Sequence, residues 1–165
     1  MGSAPSHAVE LTQRLIRCPS VTPHEGGALD CLEGELTALG FVCQRLPFGA
    51  GDDRIDNLFA RRGTEGPHFS FAGHTDVVPV GDRDSWTHDP FGAVIEDGRL
   101  YGRGAADMKS GIAAFVAAVA RLPANAASGS ISLLITGDEE GDAVNGTVKM
   151  VELSLIHISE PTRPY

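Results

Sequence analysis

Apolar residues recur at helical spacing in four stretches of the chain. Apolar positions three or four residues apart predict amphipathic helices over Ser6 to Arg17 and over Ala28 to Leu39, with Gly40 as a C-terminal cap. The alanine-rich stretch from Met108 to Leu122 predicts a third helix, because its larger apolar residues fall on one face. The pattern becomes helical again from Thr147.

Short apolar runs between these helices predict strands. They cover Phe41 to Leu46, Asn57 to Arg61, His68 to Ala72 and Ser130 to Thr136. The last run is almost continuously apolar, which is typical of a central strand buried on both faces. Asp97 and Gly98 separate two further apolar runs and predict a β-hairpin. Helices that alternate with strands in this way indicate an α/β domain.

The composition narrows the classes of function. The 165 residues are enough for one domain, and 13 basic against 22 acidic residues give a net charge of −9. Such a chain is a poor candidate for binding nucleic acid, which needs a basic surface. No apolar run approaches the ~18 residues of a membrane span, and the chain opens without a signal-peptide pattern. The three cysteines lack C-x-x-C spacing, so we expect reduced, buried thiols in a cytoplasmic protein.

The last thirteen residues, Leu153 to Tyr165, do not fit the pattern of the preceding chain. They show no helical continuation, they contain two prolines and they resemble a translated sequencing-adapter tail. We therefore expect residues 153–165 to be a non-native tail and residues 1–152 to form the domain.

The first polar motif follows the strand predicted to end at Ala72, and it contains His74 and Asp76. Residues two apart in an extended chain point the same way. His74 can therefore bind a metal while Asp76 orients its imidazole ring. The alternative interpretation is a histidine and an aspartate in an ordinary turn.

The second motif places Asp107 just before the third predicted helix, after Gly102 and Gly104. An aspartate in this position is commonly a helix N-cap. The functional alternative is a carboxylate that is held at the edge of the sheet and bridges two cations.

The third motif places Glu139 and Glu140 directly after the predicted central strand. Adjacent carboxylates repel each other unless a cation or a proton offsets their charge. One interpretation is a solvated acidic loop that favours the N-terminus of the next helix. The other is that one glutamate binds metal, while its neighbour serves as general base on a metal-bound water.

All three motifs lie at the ends of predicted strands or at the start of a predicted helix. In open α/β sheets, ligands bind at the edge formed by the carboxyl ends of the strands. One histidine and three carboxylates at such an edge suit a pair of zinc ions, or cobalt or manganese in their place.

Four motifs together resemble the di-zinc aminoacylase/carboxypeptidase family of metallohydrolases. They are Gly73 to Pro79, Ser85 to Phe91, Leu100 to Lys109 and Thr136 to Gly141. The resemblance extends from about Ala8 to Glu152. It implies a three-layer αβα sandwich of the zinc aminopeptidase type, with a mixed, mainly parallel sheet.

The resemblance also implies a role for five residues. His74 binds the first zinc ion, Asp107 bridges both ions and Glu140 binds the second. Asp76 orients His74, and Glu139 acts as the general base and acid. The implied reaction is attack of a zinc-activated water on an amide carbonyl. The implied substrate is a small N-acyl amino acid, with a succinylated diamino acid of lysine biosynthesis favoured.

Members of this family are much longer than the present chain, and they carry further zinc ligands and a dimerisation domain. The resemblance therefore implies a cytoplasmic homodimer for the full-length protein, with this chain an inactive fragment truncated before the dimerisation domain. We expect Arg103 and Lys109 to balance the charge of the carboxylates, and the alternative is that they attract an anionic substrate. The alternatives are an acetylornithine deacetylase-like enzyme or another N-acyl amino acid deacylase, and a non-catalytic metal- or peptide-binding module. A spare glutamate beside a metal ligand favours the enzyme.

Overall fold

The computed structural model describes residues 6–122 and 129–159. The helices within these residues are α1 His7–Ile16, α2 Ala28–Ala38, α3 Ser110–Ala120 and α4 Thr147–Ser159. The strands are β1 Val42–Arg45, β2 Leu58–Arg62, β3 His68–His74, β4 Val94–Glu96, β5 Arg99–Tyr101 and β6 Ser130–Thr136. No helix among the described residues is long and apolar enough to cross a membrane.

The main sheet has the order β1-β2-β6-β3, so β6 is a central strand with neighbours on both sides, as the sequence predicts. The sheet is mixed, but the expectation of a mainly parallel sheet is wrong for the described strands. Only the β3–β6 pairing is parallel, whereas β1–β2 and β2–β6 are antiparallel. The connector between β1 and β2 continues their pairing through a Phe48–Ile55 bridge and turns the chain back on itself. Apolar patterning predicts strands but carries no information on whether neighbouring strands run parallel or antiparallel.

Helices lie on both faces of the sheet. Leu133 and Ile135 of β6 belong to a buried cluster together with residues of α1, α2 and α3. Leu134 points to the opposite face, because side chains alternate along a strand. There it lines the same cavity as Met150 of α4. The chain therefore has the helix–sheet–helix layers of an α/β fold.

The β-hairpin and several element boundaries agree with the sequence predictions. β4 and β5 are antiparallel, with Val94 opposite Tyr101. Asp97 and Gly98 connect them with φ values of 49° and 74°, as a tight hairpin turn with two left-handed residues requires. β6 has the predicted bounds, and α1 and α2 end within one residue of theirs.

Three boundary or burial expectations need correction. α3 begins at Ser110 rather than Met108, because Asp107 has an extended backbone and lies in a wide turn. α4 continues through Ser159, although the sequence pattern indicated no helix beyond Glu152. Leucine and isoleucine are compatible with a helix, and the first proline comes only at Pro161. Residues 160–165 of the expected tail lie outside the described residues. The cysteines are free thiols as expected, but they are half-buried rather than buried.

Lys109 and Arg103 do not contact the carboxylates that they were expected to balance. The Lys109 side chain is fully buried, and its Nζ donates to the backbone carbonyls of Leu15 (2.8 Å) and Cys18 (2.9 Å). The Arg103 guanidinium lies over the Trp86 ring, 5.1 Å from its centroid. The wide turn before α3 directs Lys109 inward, so that it fastens the end of α1 to the start of α3.

Replacing Lys109 with methionine is expected to lower the free energy of unfolding by about 2 kcal/mol, because two buried carbonyls lose a charged donor. Methionine has a similar length, so most of the packing is retained. Urea denaturation of the chain measures the change. Lys149→Met is the matched control, since Lys149 is exposed and its surface ion pair with Glu152 contributes less than about 1 kcal/mol. Equal urea midpoints of unfolding for Lys109→Met and Lys149→Met would contradict a structural role for Lys109.

Candidate metal centre

The parallel pair β3 and β6 brings two of the polar motifs to one edge of the sheet. His74 is the last residue of β3 and pairs in register with Thr136, the last residue of β6. Glu139 and Glu140 follow Thr136 after a short turn, and Asp107 reaches the same edge from the wide turn before α3. The expected convergence of the three motifs is therefore present in the structure.

His74 is held in one orientation by Asp76. The imidazole is 5% exposed, and its Nδ1 lies 3.0 Å from the Asp76 backbone carbonyl and 3.4 Å from the Asp76 carboxylate. A carbonyl oxygen only accepts hydrogen bonds, so Nδ1 carries the hydrogen and donates it. Nε2 is thereby left as the atom that faces the site, in the manner of a metal-binding histidine with its other nitrogen anchored.

Two carboxylates face this nitrogen. Nε2 of His74 lies 3.1 Å from Oδ1 of Asp107 and 3.6 Å from Oε2 of Glu139. A lone pair directed at two carboxylates is unfavourable unless a cation lies at Nε2, whether that cation is a proton or a metal ion. Burial lowers the pKa of His74, but its contacts with Asp76 and Asp107 outweigh burial and raise the pKa to about 9.

The two adjacent glutamates complete the cluster. His74, Glu139 and Glu140 each offer one ligand atom, and these atoms lie within 4.8 Å of one another. Burial raises the pKa of Glu140, and the negative charges of Asp107 and Glu139 raise it further. An imidazole nitrogen and carboxylate oxygens are ligands that zinc accepts, so this donor set fits the expected ion.

Asp76 connects the histidine motif to the glutamate motif. It is 1% exposed, and its Oδ2 accepts a hydrogen bond from the backbone N–H of Glu140 at 2.9 Å. The same carboxylate lies against His74, so one buried residue orients the imidazole and fixes the backbone of the second glutamate. The two-residue spacing predicts the contact of Asp76 with His74, but it does not predict the contact of Asp76 with Glu140.

The N-cap interpretation of Asp107 is wrong. Lys109 occupies the N-cap position of α3, and Asp107 has φ −122° and ψ 102° two residues earlier. The Asp107 side chain is 74% exposed and contacts His74 instead of the helix. The structure therefore brings together all five residues that the sequence analysis selected.

Sequence reasoning missed the residues that support the glutamate loop from behind. Asn57 is fully buried, and its Nδ2 donates to the carbonyls of Leu46 and Asn145, both at 3.0 Å. Its Oδ1 accepts from the Gly137 N–H at 3.3 Å. An asparagine at the start of a predicted strand gives no distinctive pattern, so no signal in one sequence could have found it.

A cavity of about 220 Å³ adjoins the cluster. His74 and Glu139 form its polar wall, while Met108, Leu134 and Met150 contribute apolar surface. The space lies next to the candidate metal ligands rather than at a distance from them.

Comparison with known proteins agrees with this geometry. Residues 70–165 match the model of peptidase family M20/M25/M40. The chain is 61% identical to the succinyl-diaminopimelate desuccinylase of Parvibaculum lavamentivorans over 91% of the chain and 38% of that relative. It is 64% identical to the protein of the same name from Caulobacter vibrioides, over 87% of the chain and 36% of the relative. The chain thus spans less than half the length of the curated relatives it matches.

Solved structures share the fold. The M20 family metallo-carboxypeptidase Sso-CP2 from Sulfolobus solfataricus superposes with a TM-score of 0.78 over 96% of the chain and 36% of that structure, at 23% identity. Human carnosine dipeptidase 1 gives a TM-score of 0.71 over 94% of the chain and 35% of that structure, at 26% identity. At such low identity these likenesses concern the fold and not the substrate.

Proposed function

The chain belongs to peptidase family M20/M25/M40, and from that premise we propose that it forms part of a metal-dependent amide hydrolase. The observation that carries the proposal is the cluster of His74, Glu139 and Glu140, whose ligand atoms lie within 4.8 Å of one another. Asp107 adds a further carboxylate at 3.1 Å from the same imidazole nitrogen.

We propose two zinc ions as the cofactors, with cobalt or manganese as substitutes. His74 would hold the first ion, Asp107 would bridge both and Glu140 would hold the second. Zinc supplies Lewis-acid chemistry: it polarises a carbonyl and lowers the pKa of water toward ~7. The negative charge of the facing carboxylates supports a centre of two dications, because these groups repel one another without positive charge between them.

The chain's own residues would then divide the work of proton transfer and orientation. Glu139 is 52% exposed, and within the described residues its backbone N–H makes no hydrogen bond like the one that Glu140 donates to Asp76. Its carboxylate can therefore turn toward a bound substrate. It would take a proton from the attacking water at Oε2 and pass that proton to the leaving amine. Asp76 would keep the Nδ1 hydrogen of His74 directed at its own carbonyl, so that Nε2 remains a ligand throughout.

The proposed reaction is removal of succinate from N-succinyl-LL-2,6-diaminopimelate. Its support is the name shared by the relatives from Parvibaculum and Caulobacter at 61% and 64% identity. The proposal concerns the whole protein, since the matched relatives extend well beyond the region they share with this chain. Homodimerisation and a cytoplasmic location stay predictions of the family resemblance.

A substrate comparison tests the proposal. The whole zinc-loaded protein is assayed for amine release from N-succinyl-LL-2,6-diaminopimelate and from N-acetylornithine. We expect kcat/KM to be at least about 10²-fold higher for the succinyl substrate. A site that pairs the terminal carboxylate of the succinyl group strongly rejects an acetyl group, which lacks that carboxylate. Preference for the acetyl substrate would indicate a deacetylase. Hydrolysis of neither amide would favour a binding module.

A further inference from the structure

The loop between β6 and α4 carries Glu139 and Glu140, and one other acidic residue of this loop lies inside the protein. Asp138 is 4% exposed, whereas Glu139 and Asp142, which follow it in the same loop, are exposed. No ion pair joins Asp138 to a basic side chain in the described part of the chain. Burying an uncompensated carboxylate is costly, so its partners should be hydrogen-bond donors.

Those donors are backbone amides on the far side of the same loop. Oδ1 of Asp138 accepts from the Ala143 N–H at 2.6 Å, and Oδ2 accepts from the Asn145 N–H at 2.8 Å. Ala143 has φ 55°, a left-handed conformation that marks a sharp turn of the backbone. Charge-assisted hydrogen bonds of this length are among the stronger ones in proteins, so the carboxylate closes the loop across its width.

The closed loop is fastened on two further sides. Asn145 donates from Nδ2 to the Asp53 carbonyl at 2.9 Å, and its own carbonyl accepts from Asn57 at 3.0 Å. On the metal side, the Glu140 N–H donates to Asp76 at 2.9 Å. Asp138 therefore lies between the anchored outer half of the loop and the two glutamates that face His74.

We infer that Asp138 is a positioning residue of the metal centre, which rests on the proposed function. Its two hydrogen bonds fix the backbone from which Glu139 and Glu140 project, so that their ligand atoms meet the imidazole of His74. Asp138 does not touch the ligand atoms itself. Its effect is transmitted through the closed loop.

Asp138→Asn tests this inference with little change in shape. The amide keeps one acceptor but turns an NH2 group toward one of the two backbone N–H donors, which opens the loop. Cobalt(II) is titrated into the whole protein and followed by its visible absorption. We expect the affinity to fall about tenfold, as for other residues that orient metal ligands. We also expect the d–d bands at saturation to change in position or intensity, which a loss of stability alone would not cause.

Asp142→Asn is the matched control, because it removes the same charge from an exposed position in the same loop. Its affinity and spectrum should equal those of the wild type. Unchanged affinity and spectrum for Asp138→Asn would overturn the inference. If that variant does not fold by circular dichroism, Asp138→Glu takes its place with the same expectation. Failure of both variants to fold would assign Asp138 to overall stability and overturn its positioning role. Absence of cobalt binding by the wild type would contradict the proposed metal centre itself.

Discussion

Replacing Glu139 with alanine in the whole zinc-loaded protein is expected to lower kcat by about 10²–10⁴-fold, the usual contribution of a general acid–base group. The zinc content should stay unchanged. The two glutamates have different contacts, because the Glu140 backbone N–H donates to Asp76 while the Glu139 side chain is 52% exposed and lines the cavity. The fixed backbone of Glu140 favours that residue as the ligand, which leaves Glu139 for proton transfer.

Metal analysis and turnover measured on the same samples check this division of roles. Glu140→Ala is the matched variant, since it removes an equal carboxylate from the neighbouring position. It should lose zinc as well as activity. If Glu139→Ala lost zinc while Glu140→Ala kept it, the roles of the two residues would be reversed.

Replacing His74 with alanine is expected to weaken zinc binding by roughly 10²–10³-fold, since ~10–16 kcal/mol of binding energy is shared among about four ligands in zinc sites. His74 contributes the nitrogen ligand of the cluster, Nε2, and Asp76 already holds the imidazole ring in place through Nδ1. Competition with a chromophoric chelator measures the affinity in the whole protein.

His68→Ala provides the comparison for this second prediction. His68 lies at the other end of β3, where its ring contacts Ser130 and Ser132 rather than the carboxylates. The variant removes an imidazole from the same strand and should bind zinc as the wild type does. Equal affinities for His74→Ala and His68→Ala would show that zinc binds elsewhere on this acidic chain.

Local sequence patterns predicted the elements better than their relative directions. The apolar run of β6 and the Asp97-Gly98 turn identify their structures, because burial and left-handed turn residues are local requirements. The antiparallel pairing of β2 with β6 depends on how the chain returns to the sheet, which no short window contains. The parallel β3–β6 pairing, in contrast, follows the expectation that their polar ends meet at one edge.

The residues that face the site, and Asp76 behind His74, could be predicted, whereas the supporting contacts of Asn57 and Asp138 could not. His74, Asp107 and Glu140 follow apolar elements in a recognisable order. Lys109 interacts with the charge of Asp76 but donates its hydrogen bonds to backbone carbonyls, which the sequence did not indicate. Sequence proximity to Asp107 says nothing about the wide turn that directs the Lys109 side chain inward. Asp138 belongs to the third motif of the sequence. Its hydrogen bonds with the backbone N–H groups of Ala143 and Asn145 depend on the folded loop and could not be predicted.

A crystal structure of the whole protein grown with zinc, with anomalous scattering measured at the zinc edge, tests the central claim most directly. We predict zinc at ~2.0–2.2 Å from Nε2 of His74 and from carboxylate oxygens of Asp107 and Glu140. Glu139 should lie beside the ion without coordinating it. Zinc held by Glu139 in place of Glu140, or zinc found only at acidic residues away from His74, would contradict the account.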